Sequence, residues 1–279
     1  MRNNEDRLGA KKPKSGAASA ARAALAPLEF VRPTTIVDLP SGGTLYPEGH
    51  PLHGQDSVEI RQMTTAEEDI LTNRTLLKKG KAIDKFLERL LIDSGVTTGD
   101  LLVSDKNAIL IQARIDGYGS DYTTQVNCPA CQASQRDTFD LVECTETIGG
   151  ERMLVETTDN NTFTTTLDND WVVEFKALTG ADEARLMQAM ENAKRANRPE
   201  RTIQDQLTAM IVSISGHTEK ATINKAVEHM TGKQSRQIRT AYKDAVPNVE
   251  IRGTITCREC ATTSELEVPL TADFFWSKP

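Results

Sequence analysis

The stretch VEIRQMTTAEEDIL, residues 58–71, decides the reading of this chain, because VEFKALTGADEARL at residues 173–186 matches it without a gap. Each copy opens with an alternating apolar segment of strand character. Each then passes through a threonine followed three residues later by an acidic residue, Thr64 with Glu67 and Thr179 with Asp182. A Thr that accepts from the N3 backbone N–H, answered by an acidic N3 side chain, satisfies two of the orphan donors at a helix start. The pattern therefore predicts the same strand and capped helix twice, 115 positions apart.

Working outward, TTIVDLPSGGTLYP (34–47) reads as a hairpin turning at Pro-Ser-Gly-Gly, and FTTTLDNDWVV (163–173) as its answer, turning at Asp-Asn-Asp. Helices are expected over residues 82–93 and 105–114, the second capped by Asp105, and over 201–214 and 235–245. YTTQVNCPACQASQRDTFDLV (122–142) and VEIRGTITCRECATTSELEVPL (249–270) each read as strand, tight CxxC turn, strand. The offset grows from 115 at the helix starts to 129 at the cysteines, so the second copy carries extra residues in its helical middle. The expectation is an α+β fold of two tandem copies of a β-hairpin/helical/CxxC-hairpin unit, joined by a zinc-ribbon-like element. Its segments are a basic Ala-rich arm (1–32), a first repeat (33–148) and a second repeat (149–279). Repeats of this length are domain-sized.

The five cysteines divide as two pairs, Cys128 with Cys131 and Cys257 with Cys260, and a single Cys144. A CxxC turn presents two thiolates from one bend, which is half of a tetrahedral zinc site. An ordinary ribbon places its pairs about 15 to 20 residues apart, whereas 126 positions separate Cys131 from Cys257 here. Duplication removes the difficulty, since equivalent hairpins can meet about a pseudo-two-fold axis and share one ion. Cys128, Cys131, Cys257 and Cys260 are accordingly expected to hold a structural zinc. A closed four-thiolate site keeps no position open for water, so its work would be to fasten the repeats. A redox role for CPAC is disfavoured, because the turn runs into a strand-like segment and not into a helix. His50 and His53 lie in a Pro/Gly-rich loop with no third ligand near them in sequence.

The formal charge of −7 resolves into seven cations against three carboxylates in residues 1–32 and an acidic remainder of −11. An acidic body repels a phosphate backbone, and 5% aromatic content leaves few platforms for stacked bases. Nucleic acid is therefore an unfavoured partner. The sequence contains no phosphate loop, no HExxH and no GxSxG, and no catalytic residue is assigned. No apolar run is long enough to cross a bilayer. Phe274, Phe275 and Trp276 cluster near the C-terminus, where they either close the core of the second repeat or dock against a neighbouring subunit.

The ordered set IRQMTTAEEDIL (60–71), LLVSDKNAILIQARIDGYGSDY (101–122), the CPAC hairpin and TFDL (138–141) resembles the baseplate hub and hub-assembly proteins of contractile-tailed, T-even-type bacteriophages. The resemblance covers residues 34–142, and 160–276 more loosely. It implies a non-enzymatic structural or assembly protein, made in the infected bacterium's cytoplasm, with other tail and baseplate proteins as partners and the virion as destination. The basic arm departs from that pattern. The competing expectation is a zinc-ribbon regulator that binds nucleic acid through the arm.

Overall fold

Thr64 and Thr179 each precede a helix. In both places the backbone N–H and hydroxyl of the threonine donate to the acidic N3 side chain, at 3.1 and 2.6 Å for Glu67 and at 3.1 and 3.0 Å for Asp182. The computed structural model describes residues 31–92, 95–150, 156–158, 161–269 and 274–275. The arm up to residue 30 and Trp276 lie outside the described residues.

In chain order the first half contains β1 (Thr34–Asp38), β2 (Ser57–Arg61), α1 (Thr65–Thr72), α2 (Arg74–Lys78), α3 (Ala82–Leu90), α4 (Val103–Tyr118), β3 (Asp121–Asn127), β4 (Ser134–Asp140), α5 (Leu141–Cys144) and β5 (Thr145–Ile148). The second half contains β6 (Glu156–Thr157), β7 (Phe163–Thr166), β8 (Val172–Phe175), α6 (Gly180–Arg195), α7 (Thr202–Met210), β9 (Ile211–Ile214), α8 (Lys220–His229), α9 (Gly232–Ala245), β10 (Asn248–Thr256) and β11 (Thr263–Glu267). Helices and antiparallel sheets are mixed, so the fold is α+β. The described sheets are β1-β2, β3-β4, β11-β10-β5 and β6-β7-β8-β9.

Three local expectations are corrected. The hairpin does not close within residues 34–47: β1 pairs with β2 from Thr34↔Arg61 to Asp38↔Ser57, across a loop of residues 39–56. Leu39, Leu45, Tyr46 and Leu52 are buried in that loop, so it is packed as part of the core and not as a turn. Asp105 is not the cap of α4, whose N-cap is Leu102. It is the fully buried N3 residue, and its carboxylate accepts from Ser41 N (3.0 Å), Ser41 Oγ (2.7 Å) and Tyr46 Oη (2.8 Å). Burial raises the Asp105 carboxyl above its ordinary value, with the Ser41 and Tyr46 hydrogen bonds acting the other way. Finally, residues 201–214 are helical only to Met210; IVSI forms β9 beside β8, as two β-branched isoleucines and a valine in a buried setting favour.

Among the described residues, apolar side chains gather in two cores. The larger takes Val37, Ile60, Leu71, Phe86, Ile109 and Tyr122 from the first half and Phe163, Phe175, Ile251 and Phe274 from the second. The smaller, built on Val173, Leu207, Met210, Ile223 and Ile238, belongs to the second half. Tyr242 packs against both, and its hydroxyl accepts from Leu178 N at 3.1 Å.

The halves also exchange chain segments. β5, which follows the first CxxC hairpin, pairs with β10 of the second, from Thr145↔Ile251 to Ile148↔Asn248. Phe274 and Phe275, which follow the second hairpin, are 4% and 5% exposed. Phe274 meets the Tyr122 ring edge-on at 5.0 Å, and Phe275 meets Phe86 at 5.1 Å. Both phenylalanine rings are therefore packed in the core, against residues of the first half. The backbone agrees, since Arg114 Nε donates to Phe274 O at 3.1 Å.

Candidate metal centre

Each CxxC is held by the same local hydrogen bonds. Cys128 N donates to Ala133 O and Gln132 N to Cys128 O, both at 2.8 Å. Cys257 N donates to Thr262 O and Ala261 N to Cys257 O, both at 3.0 Å. The residue after each second cysteine takes the left-handed conformation, φ +61° at Gln132 and +54° at Ala261. That conformation disfavours a side chain bearing Cβ, and it recurs here without glycine at both turns. It aims the next amide inward: the Ala133 N–H bonds the Cys131 thiol and the Thr262 N–H the Cys260 thiol.

The two turns face one another. Cys128 Sγ lies 3.8 Å from Cys260 Sγ and Cys131 Sγ lies 3.6 Å from Cys257 Sγ, and all four sulfurs fall within 4.8 Å of each other. Cys128 and Cys257 are buried, Cys131 and Cys260 exposed, and none is in a disulfide. A tetrahedral ion with metal–sulfur bonds of about 2.3 Å requires sulfurs about 3.8 Å apart. The observed separations fit that figure and far exceed a disulfide bond of about 2.05 Å. All four expected ligands are thus brought together, and the arrangement is compatible with a metal site.

The environment differs between the thiols. At Cys131 the Ala133 amide alone would lower the pKa, but the neighbouring Cys260 and Cys257 thiols push it up to about 12. At Cys260 the Thr262 side chain and amide, aided by the Cys131 thiol, bring it down to about 6. Close thiols thus share protons unequally, and a bound cation would favour the thiolate form at each. Each CxxC turn leads into a strand, β4 or β11, so neither has the helix N-terminus that activates a redox cysteine.

Several residues that sequence reasoning missed position the cluster. Gln135 bridges the hairpins, accepting from Arg258 N at 3.0 Å and donating to Thr256 O at 3.3 Å. Arg258 in turn donates to Arg136 O at 3.0 Å. Gly253 lies in β10 where an added Cβ would overlap the Phe139 ring of β4. A glycine inside a strand rich in β-branched residues is the one available signal of that close approach. Nothing about Gln132 or Ala261 announced a left-handed residue.

The other candidates have local roles. His53 Nδ1 donates to Tyr46 O at 2.7 Å. His50 accepts from Leu52 N at 3.1 Å and stacks on the Tyr46 ring at 4.4 Å. Among the described residues, the four paired cysteines are the one group able to supply three or more metal ligands. Cys144 is half-buried and stands apart from it.

With the geometry in place, residues 32–152, which include the first CxxC hairpin, match the family model described as T4 bacteriophage base plate protein. Over those residues the chain is similar to the T4-type phage base plate family. The second CxxC hairpin lies beyond the family match. No curated protein and no solved structure matches the chain. No helix among the described residues is long and apolar enough to cross a membrane.

Proposed function

We propose that this protein is a non-enzymatic structural or assembly component of the baseplate hub of a contractile phage tail. The observation that carries the reading is the base plate family match over residues 32–152. Its partners are then other tail and baseplate proteins, and its destination is the virion tail, reached from the host cytoplasm. The chemistry of the paired cysteines accords with this, since a closed four-thiol set fastens a fold and leaves no position for substrate. Zinc is the ion the all-thiol set fits best, with Cys128, Cys131, Cys257 and Cys260 as ligands.

In the same reading the chain is a duplicated unit, repeats 33–148 and 149–279. Support comes from landmarks that keep the offsets seen in the sequence. The N-caps Thr64 and Thr179 stand 115 apart, and the N-caps Leu102 and Thr231 stand 129 apart, as do the cysteine pairs. Asp105 and Gln234, both N3 residues, each reach the loop of their own half's hairpin, at Ser41 and at Asp168. Each CxxC hairpin then sends its following segment to the other half.

The decisive experiment is quantitative mass spectrometry of purified phage particles and of tail-assembly intermediates. A fixed copy number per particle, or stoichiometric presence in hub intermediates alone, supports the structural or the assembly-factor form respectively. Absence from both overturns the proposal.

A further inference from the structure

The second half carries a helix pair, α6 and α7, with an outer face that its own core does not use. From residue 183 to residue 206 no residue is buried. α6 turns one face inward, through Asp182, Leu186, Ala189 and Ala193 at spacings of four, three and four, toward α7 and the smaller core. Beside that face runs a second ridge, Met187, Met190 and Lys194, at spacings of three and four that stack residues on one side of a helix. Met187 is 54% and Met190 38% exposed. On the neighbouring α7, Ile203 is 50% exposed.

The ridge ends among cations. Residues 185–201 hold Arg185, Lys194, Arg195, Arg198 and Arg201 against Glu191 and Glu200, a formal +3 in a chain of −7. Arg185, Arg195 and Arg201 are engaged by Asp182, Glu191 and Glu228. Lys194 and Arg198 are exposed and have no ion-pair partner among the described residues. An exposed pair of methionines in line with uncommitted cations gives an adaptable apolar surface with a defined charge at one end.

We propose that the outer face of α6 and α7 docks an acidic helical segment of another protein, laid along the Met187–Met190 ridge with its carboxylates over Lys194 and Arg198. The ridge supplies an apolar surface on which the i, i+3, i+4 and i+7 anchors of an amphipathic helix can rest. The positive end selects an acidic partner and sets its direction. The proposal follows from the surface alone and is independent of the baseplate reading, whose own test is the content of the particles.

The test uses the full chain and two synthetic helices, each with leucines at i, i+3, i+4 and i+7, one flanked by glutamates and one by lysines. The expected result is binding of the glutamate helix, weakened about tenfold or more by Met187→Glu/Met190→Glu and by Lys194→Glu/Arg198→Glu. Both variants change exposed residues and should keep the thermal midpoint of the parent chain. Equal binding of the lysine helix, or undiminished binding by either variant, overturns the proposal. So does duplex DNA that displaces the peptide and is itself lost in Lys194→Glu/Arg198→Glu, which assigns the surface to nucleic acid. Self-association in sedimentation that vanishes in Met187→Glu/Met190→Glu assigns it to a second copy and likewise overturns it.

Discussion

The sulfur atoms of Cys131 and Cys257 lie 3.6 Å apart, although each belongs to a different hairpin and a different half of the chain. Closing that distance requires β3-β4 and β10-β11 to meet turn to turn, so a shared ion would tie the two halves by bonds and not only by packing. The purified chain is therefore expected to hold one zinc per chain by elemental analysis. Cys257→Ser should release the ion and lower stability by on the order of 4 kcal/mol, about 10 °C in Tm. A chelator should reproduce the loss in the parent chain and do nothing further to the variant. Full zinc occupancy in Cys257→Ser would sink the four-thiol assignment.

The hairpins behind the turns are held by a glycine. Because a Cβ at Gly253 would overlap the buried Phe139 ring, Gly253→Ala should cost about 1–3 kcal/mol through overpacking. Phe139→Leu alone should also destabilise, by removing buried surface. Combined, the two should cost less than their sum, because the smaller leucine gives the new methyl room; strict additivity in chemical denaturation would refute the contact.

How far the sequence alone could reach depended on the distance over which each element is decided. The capped helices at Thr64 and Thr179 are set by residues within one turn, and both are present. The CxxC turns are set by their own spacing, and the repeated order of sequence segments pointed to the pairing between them. The expected closure within residues 34–47 differs from the structure because the course of that segment is fixed by Asp105, 64 positions from Ser41, and no local signal marks a buried N3 carboxylate as an anchor. The fate of Phe274 depended in the same way on Tyr122 and Arg114, in the other half. Long-range partners of this kind leave hydrophobicity in the sequence but not its address.

Lys106 joins the halves electrostatically. Its ammonium, 9% exposed, lies 2.8 Å from Glu183 of α6 and 3.1 Å from Asp84 of α3. Burial would lower its pKa, but the two carboxylates hold it above the ordinary lysine value. A raised folded-state pKa means that the ion group's stabilisation is complete below the unfolded lysine value, about 10.4, and is lost as pH rises through the higher folded value. Denaturant midpoints taken from pH 8 to above pH 11 should fall for the parent chain more steeply than for Lys106→Met (~3 pH units spanning the lysine range). Parallel profiles would show that the group contributes nothing.

At the opposite end of the pH scale the Asp182 cap should be felt. Burial tends to raise this carboxyl, but Lys176 at 2.6 Å and the Thr179 donors outweigh it and hold it below the ordinary aspartate value. Its stabilisation is then present above the unfolded value of about 3.9 and disappears as pH falls through the folded one. Thr179→Ala should cost about 1 kcal/mol at neutral pH, and Asp182→Asn should flatten the acid limb of the stability curve below pH about 4. An acid limb identical to that of the parent chain would remove Asp182 from the account.

Phe274 offers the sharpest separation between folding and assembly. Its ring packs on Tyr122 at 5.0 Å and on Phe275 at 5.3 Å, and its carbonyl accepts from Arg114. Truncation to alanine removes buried aromatic surface where the neighbours cannot collapse, so Phe274→Ala should cost about 3–5 kcal/mol. The loss should appear in the isolated protein, as a lower thermal midpoint and faster hydrogen exchange in α4 and β3, the elements that hold Arg114 and Tyr122. A residue that served only to dock a neighbour would leave the isolated chain unchanged and weaken assembly alone. Parent-like stability of Phe274→Ala in the absence of partners would therefore restore the docking role and overturn the reciprocal exchange of segments between the halves.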